Sequence, residues 1–271
     1  MPAQNLENFK RECIIRGSSE IIITENGDAV LYKVSDNSKF MTSNIFAARI
    51  MEYAPQLYSY FVDIGDSRRA LLNAPEGAYR IGDFCIVQIV TAARDQKGAR
   101  VTAQIRLTGI FTVLLVSEKD GSIHISSKIK ESDLRERLTM IGESLCPECA
   151  LILRTQAASA SPAEIAKDYA NLDTIWRNIL HRYEERVSAS TPGVLFAGNP
   201  IVSELLKYPL QSYSEICADT PDMIDILRQT FPEARDRIRF LPKQIFAVKS
   251  VDRVKTSLLG KKIFLRSGAN L

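Results

Sequence analysis

The chain has 271 residues, 45% of them apolar and 25% charged, with a formal net charge of +3. This is the composition of an ordinary folded domain, and it excludes a disordered or fibrous chain. No run of about 18 apolar residues is present, the first sixteen residues carry no apolar signal core, and five cysteines at irregular spacing make no disulfide framework, so a reducing cytoplasm is expected and a membrane span is not.

The charge is unevenly spread. Between Arg235 and Arg266 there are ten Lys or Arg and two Asp, about +8. A second basic stretch holds Arg94, Lys97, Arg100 and Arg106. Such clusters suit a phosphate backbone, and a solvated charged face is the alternative reading.

In chain order, Ile21 to Thr24 and Ala29 to Val34 flank Asn26-Gly27, a hairpin signal. Short strands with turns between them follow: Leu57 to Ile64, Arg69 to Leu72, Asp83 to Val90 and Ala99 to Leu107. Five short strands over the span from Phe40 to Leu107 fit a small OB-type barrel, and an open meander gives the same pattern. A further hairpin is expected from Phe111 to Ser117 and Ser122 to Ile129 around Asp120-Gly121. Ser132 to Ile141 reads as a helix and Leu151 to Thr155 as a strand. Ser161-Pro162-Ala163-Glu164 is a capping box with Pro at the first helical position. It opens a helix of about seven turns with the stripe Ile165, Tyr169, Leu172, Trp176, Ile179, Tyr183, Val187. Past a boundary at Ser188 to Gly193, helices alternate with strands at Ser214 to Ala218 and Arg237 to Leu241. A helix then ends near Gly260 and a strand follows at Lys262 to Arg266. This is the pattern of an α/β module.

Chemistry is sparse. His124 and His181 have no Ser, Cys or paired carboxylate at a telling spacing. Cys146-Pro147-Glu148-Cys149 offers two thiolates where a structural zinc site needs four ligands, so no metal is expected there. An unrelated enzyme using Asp63 and Glu52 is a rival reading. Phe61 on a barrel strand, with Lys97 and Arg100 on a nearby turn and strand, reads as a stacking platform with phosphate partners. Phe61 in the core is the other option. Arg154 beside Thr155 at a strand end offers a guanidinium fork and a hydroxyl suited to a terminal phosphate.

Several runs occur in the order, and near the spacing, of one family: Ser43-Asn44-Ile45-Phe46, Phe61 to Gly65, Lys97-Gly98 with Thr102, Leu107-Thr108-Gly109, Arg154-Thr155, and Asp173 to Trp176. The chain resembles the ribonuclease E/G family. The resemblance implies an α+β fold, with a split RNase H-like α/β module at 1–38 and 190–255. It also implies a five-stranded OB-type RNA-binding barrel at 39–106 and a mixed 5′-sensor subdomain at 107–189. Residues 256–271 would begin a truncated catalytic subdomain.

Carried over by position, Phe61 and Lys97 match residues that hold single-stranded RNA. Gly109, Val113, Arg154 and Thr155 match the 5′-monophosphate pocket. The family is a Mg2+-dependent endoribonuclease of RNA processing and decay, and full-length members allow for a homo-oligomer. Ser267-Gly268-Ala269-Asn270-Leu271 matches the start of the strand that precedes the family's metal-binding Asp residues. RNA binding without a bound Mg2+ or cleavage is therefore the expectation for this chain, and a free-standing non-catalytic RNA-binding paralogue is the alternative. There are two departures from the pattern. Leu71 stands where the family has a second barrel aromatic, and Ser127 stands where it has an Arg before Lys128.

Overall fold

The computed structural model describes residues 10–34, 42–94, 97–145 and 147–242. It divides into two compact units. One is made of Met1–Asn37 with Asn199–Leu271, the other of Ser38–Gly198.

The first unit begins with β1 (Arg11–Arg16), β2 (Glu20–Glu25) and β3 (Asp28–Val34). Asn26 and Gly27 both take positive φ, 52° and 88°. That is the backbone of the type I′ turn expected from Asn-Gly, because its twist matches the flanking strands.

The second unit contains a closed barrel. Its strands are β4 (Ile45–Ala54), β5 (Ser59–Asp63), β6 (Ala70–Asn73), β7 (Phe84–Thr91) and β8 (Arg100–Thr102). Neighbours run β4-β5-β6-β8-β7, and β7 returns to pair with β4. Alternate residues fill the interior: Phe46, Ala48, Ile50, Tyr60, Val62, Leu72, Val87, Ile89 and Val101. This α+β fold with a five-stranded OB-type barrel is the expected class. The strand expected at Leu57 to Ile64 starts later, at Ser59. Pro55–Leu57 instead forms a 3-10 turn, closed by Tyr58 N donating to Pro55 O at 3.2 Å.

The run from Ala99 to Leu107 is two strands rather than one. β8 closes the barrel, and β9 (Arg106–Thr108) belongs to a second sheet. The break lies at Ala103 to Ile105. There the Ser117 hydroxyl donates to Ala103 O at 2.8 Å and accepts from Ile105 N at 3.0 Å.

The second sheet adds β10 (Thr112–Leu115), β11 (Ile123–Ile125) and β12 (Ala150–Leu153) in the order β11-β12-β10-β9. This corrects the expected Asp120-Gly121 hairpin. The turn forms, with Gly121 at φ 63°, but β10 and β11 do not pair because β12 lies between them. The Ala-Leu-Ile-Leu sequence of β12 has three buried residues out of four, and a strand this apolar belongs in the middle of a sheet.

One face of the sheet is covered by α1 (Ser132–Ser144) and α2 (Pro162–Ser188). The capping box of α2 is present: Glu164 N donates to the Ser161 hydroxyl, and Ser161 N donates to the Glu164 carboxylate. Such a cap contributes about 1 kcal/mol. β13 (Gly193–Phe196) then pairs with the outer edge of β4. Ile45 and Ala47 of β4 share one core with Leu107, Leu114, Leu151, Leu153, Ile165 and Leu172. The Tyr183 hydroxyl also donates to Phe84 O at 2.8 Å, so within this unit α2 is pinned to the barrel wall.

The first unit resumes with α3 (Pro200–Leu205), β14 (Tyr213–Ala218), α4 (Pro221–Thr230) and β15 (Ile238–Phe240). β1, β14 and β15 are parallel, and the sheet order is β15-β14-β1-β2-β3. The helix ending near Gly260, the strand at Lys262 to Arg266 and the run from Ser267 lie outside the described residues. No helix among the described residues is long and apolar enough to cross a membrane.

Candidate nucleic-acid interface

Strand alternation decides where Phe61 points. Tyr60 and Val62 are buried in the barrel, and Phe61 between them is half-buried on the outer face. It pairs with Leu71 of β6, which pairs with Arg100 of β8. Phe61, Leu71 and Arg100 therefore form one row across three strands. Arg100 is exposed, and no hydrogen bond or ion pair holds its side chain among the described residues. Lys97 is also exposed, at the tip of the β7–β8 hairpin, where it exchanges two backbone hydrogen bonds with Arg94 at 2.8 and 3.0 Å.

Gly98 is fixed by space. A Cβ there would lie 1.9 Å from Arg69 O, because β8 enters the barrel directly over that carbonyl. The remaining basic residue of the stretch, Arg106, sits on β9 in the other sheet and not on the barrel.

The second cluster gathers at one end of the β11-β12-β10-β9 sheet. Gly109 closes the β9–β10 turn, its N–H donating to Thr112 O at 2.9 Å. Arg154, just past β12, donates to Gly109 O at 2.5 Å and to Ile110 O at 3.1 Å. Burial pushes its guanidinium down from the usual arginine range, and the Asp168 carboxylate acts against that. Thr155 is exposed, with its hydroxyl 3.0 Å from that of Ser126. Val113 lies half-buried on β10, between Thr108 and Ile152, opposite the helix-covered face. Ser127 and Lys128 are exposed in the turn after β11.

Sequence reasoning missed Asp168, the residue that shapes this end of the sheet. It reaches from α2 and accepts from Ile110 N, Phe111 N and Thr112 N at 2.9 Å each, and from the Thr112 hydroxyl at 2.6 Å. This carboxylate also lies against Gly109: a Cβ there would sit 2.5 Å from Asp168 Oδ2. The signal was an acid in the apolar stripe, between Ile165 and Leu172.

Other candidates are engaged elsewhere. Glu52 pairs with Arg69 at 3.3 Å, and Asp63 accepts from Gly65 N at 2.8 Å. The Cys149 thiol is buried, raised by that burial, and donates to Val116 O at 3.7 Å. Its motif partner Cys146 lies outside the described residues. Within the basic C-terminal stretch, Arg237 donates to Leu210 O and Tyr213 O, and Arg239 pairs with Glu215. Among the described residues no group of three or more His, Cys, Asp or Glu is placed to hold a metal ion.

Residues 106–271 match the model of the ribonuclease E/G family. Ribonuclease G of Haemophilus influenzae is 25% identical over 264 residues, covering 85% of this chain and 52% of that protein. Ribonuclease E of Buchnera aphidicola subsp. Acyrthosiphon pisum is 28% identical over 260 residues, covering 84% and 28%. Ribonuclease G of Escherichia coli K12 is 28% identical over 167 residues, covering 52% and 33%. The chain spans about half or less of the length of these relatives.

Proposed function

The chain belongs to the ribonuclease E/G family, and on that premise we propose that it holds single-stranded RNA and reads its 5′ end within an endoribonuclease of RNA processing and decay. The observation that carries this reading is the row Phe61, Leu71, Arg100 on the outer face of a closed OB-type barrel, with Lys97 exposed at the adjoining hairpin tip. An aromatic face takes a base, and cations beside it take the phosphates.

The family's Mg2+ does not fit the described residues, which place no acid cluster. No bond-breaking step is assigned to them.

Phe61→Ala is expected to weaken RNA binding by about one to two decades, since stacking is worth about 1–3 kcal/mol per base. Phe61 lies outside the barrel core, so the melting temperature should barely move. Unchanged affinity in a folded Phe61→Ala variant removes the barrel from RNA binding.

In the same reading, Arg154, Thr155, Gly109 and Val113 form the 5′-monophosphate pocket. A terminal phosphate carries close to two charges and an internal one carries a single charge. A guanidinium held in place by two backbone carbonyls can exploit that difference. Matched RNAs ending in 5′-phosphate or 5′-hydroxyl should differ about tenfold in affinity, the worth of one charge-assisted hydrogen bond. Equal affinities mean that Ser127, standing where the family has an Arg, leaves the pocket unable to discriminate.

A further inference from the structure

Phe61 is the only aromatic in its row, because Leu71 occupies the neighbouring position on β6. The barrel has another exposed ring that lies outside the ordered motifs of the family. Tyr58 is 74% exposed at the end of the β4–β5 turn. Its backbone is left-handed, φ 47° and ψ 44°, a conformation unfavourable for a residue with a Cβ and rare for a bulky one. Glycine would adopt this backbone freely.

Ser59, next to Tyr58 in the chain, helps to line a shallow depression of about 220 Å³ whose other walls include Leu71, Asn73, Val90, Arg100, Val101 and Thr102. The Ser59 hydroxyl donates to Leu57 O at 2.9 Å, which holds the turn against the depression. Its polar groups are rich in donors. Arg100 can only donate. Thr102 already accepts from Gln104 N at 3.1 Å, so its own hydrogen remains to be given. A phosphate oxygen satisfies both. Tyr58 precedes β5 and Phe61 is the third residue of that strand, so the two rings engage different bases.

We propose that Tyr58 is a second base-stacking residue, and that Arg100 and Thr102 in the depression hold the phosphate between its base and the base on Phe61. This rests on the reading of the barrel as an RNA-binding surface.

The test uses the full chain and a short labelled single-stranded RNA, with affinity read by fluorescence anisotropy over a salt series. Tyr58→Gly removes the ring and suits the left-handed backbone, so it should melt at or above the parent temperature yet bind about tenfold more weakly. Tyr58→Phe should keep the parent affinity. Arg100→Ala should reduce the salt slope by about one, the share of a single phosphate contact.

If Tyr58→Gly binds like the parent while Phe61→Ala has lost affinity, this inference is overturned and the barrel reading stands. If both bind like the parent, both fall. An unchanged salt slope for Arg100→Ala overturns the phosphate contact.

Discussion

Gly98→Ala should unfold or open the barrel, the largest effect expected of a methyl group added at any described glycine. The added carbon would sit 1.9 Å from Arg69 O and 3.0 Å from Arg69 C. Both obstacles are backbone, so no rotamer change relieves the overlap. β8 must lift away from β6, which breaks the Leu71 N to Ala99 O bond of 2.8 Å and the Leu71–Arg100 register. Overpacking of this kind costs about 3 kcal/mol or more. In a unit of this size each kcal/mol moves the melting temperature by about 2–4 °C, so a fall of about 10 °C or loss of the folded barrel is expected. RNA affinity should fall further than in Lys97→Ala, which removes a charge at an exposed position and leaves the barrel closed. A Gly98→Ala protein with parental stability would show that β8 does not enter the barrel over Arg69.

Asp168→Ala should be nearly as damaging, for an electrostatic reason. The carboxylate is 8% exposed and accepts from three backbone N–H groups and one hydroxyl. Its removal leaves buried donors without acceptors, at about 1–3 kcal/mol each before relaxation. A total of about 3–5 kcal/mol is the scale for stripping one partner from a buried charged network. Asp168→Asn is the informative contrast. One amide oxygen in the Oδ2 position can still accept from Phe111 N, Thr112 N and the Thr112 hydroxyl, leaving the Ile110 N–H facing an amide NH2. Its loss should be clearly smaller than that of alanine. Both variants loosen the turn whose carbonyls hold Arg154, so any preference for a 5′-phosphate should fade in the order parent, Asn, Ala. Thermal melts and the paired 5′-phosphate and 5′-hydroxyl RNAs measure both trends. Equal melting temperatures for Ala and Asn would show that the hydrogen bonds to Asp168 contribute little.

These two residues mark where the sequence ran out. Gly98 was conspicuous beside Lys97, but its backbone is not left-handed. The need for glycine comes from Arg69, a residue on another strand. Asp168 stood in the apolar stripe of α2 and invited no role, because its four donors, on Ile110, Phe111 and Thr112, lie more than fifty residues away in the chain. Tyr58 falls near the start of the strand expected from Leu57 to Ile64, but the turn at Pro55–Leu57 delays β5 to Ser59.

What the sequence determined by itself is what neighbours along the chain enforce. Asn26-Gly27 sets a hairpin through its own dihedral angles. Ser161 and Glu164 cap a helix through bonds spanning three residues. Alternation along β5 puts Tyr60 and Val62 on one face and Phe61 on the other. Only the tertiary structure decided which face was the interior, and which strands became neighbours. β12 separates β10 from β11 despite the turn between them, and the run from Ala99 to Leu107 is shared between two sheets. Strand pairing is settled by the burial that a whole sheet achieves, and that quantity belongs to no local segment.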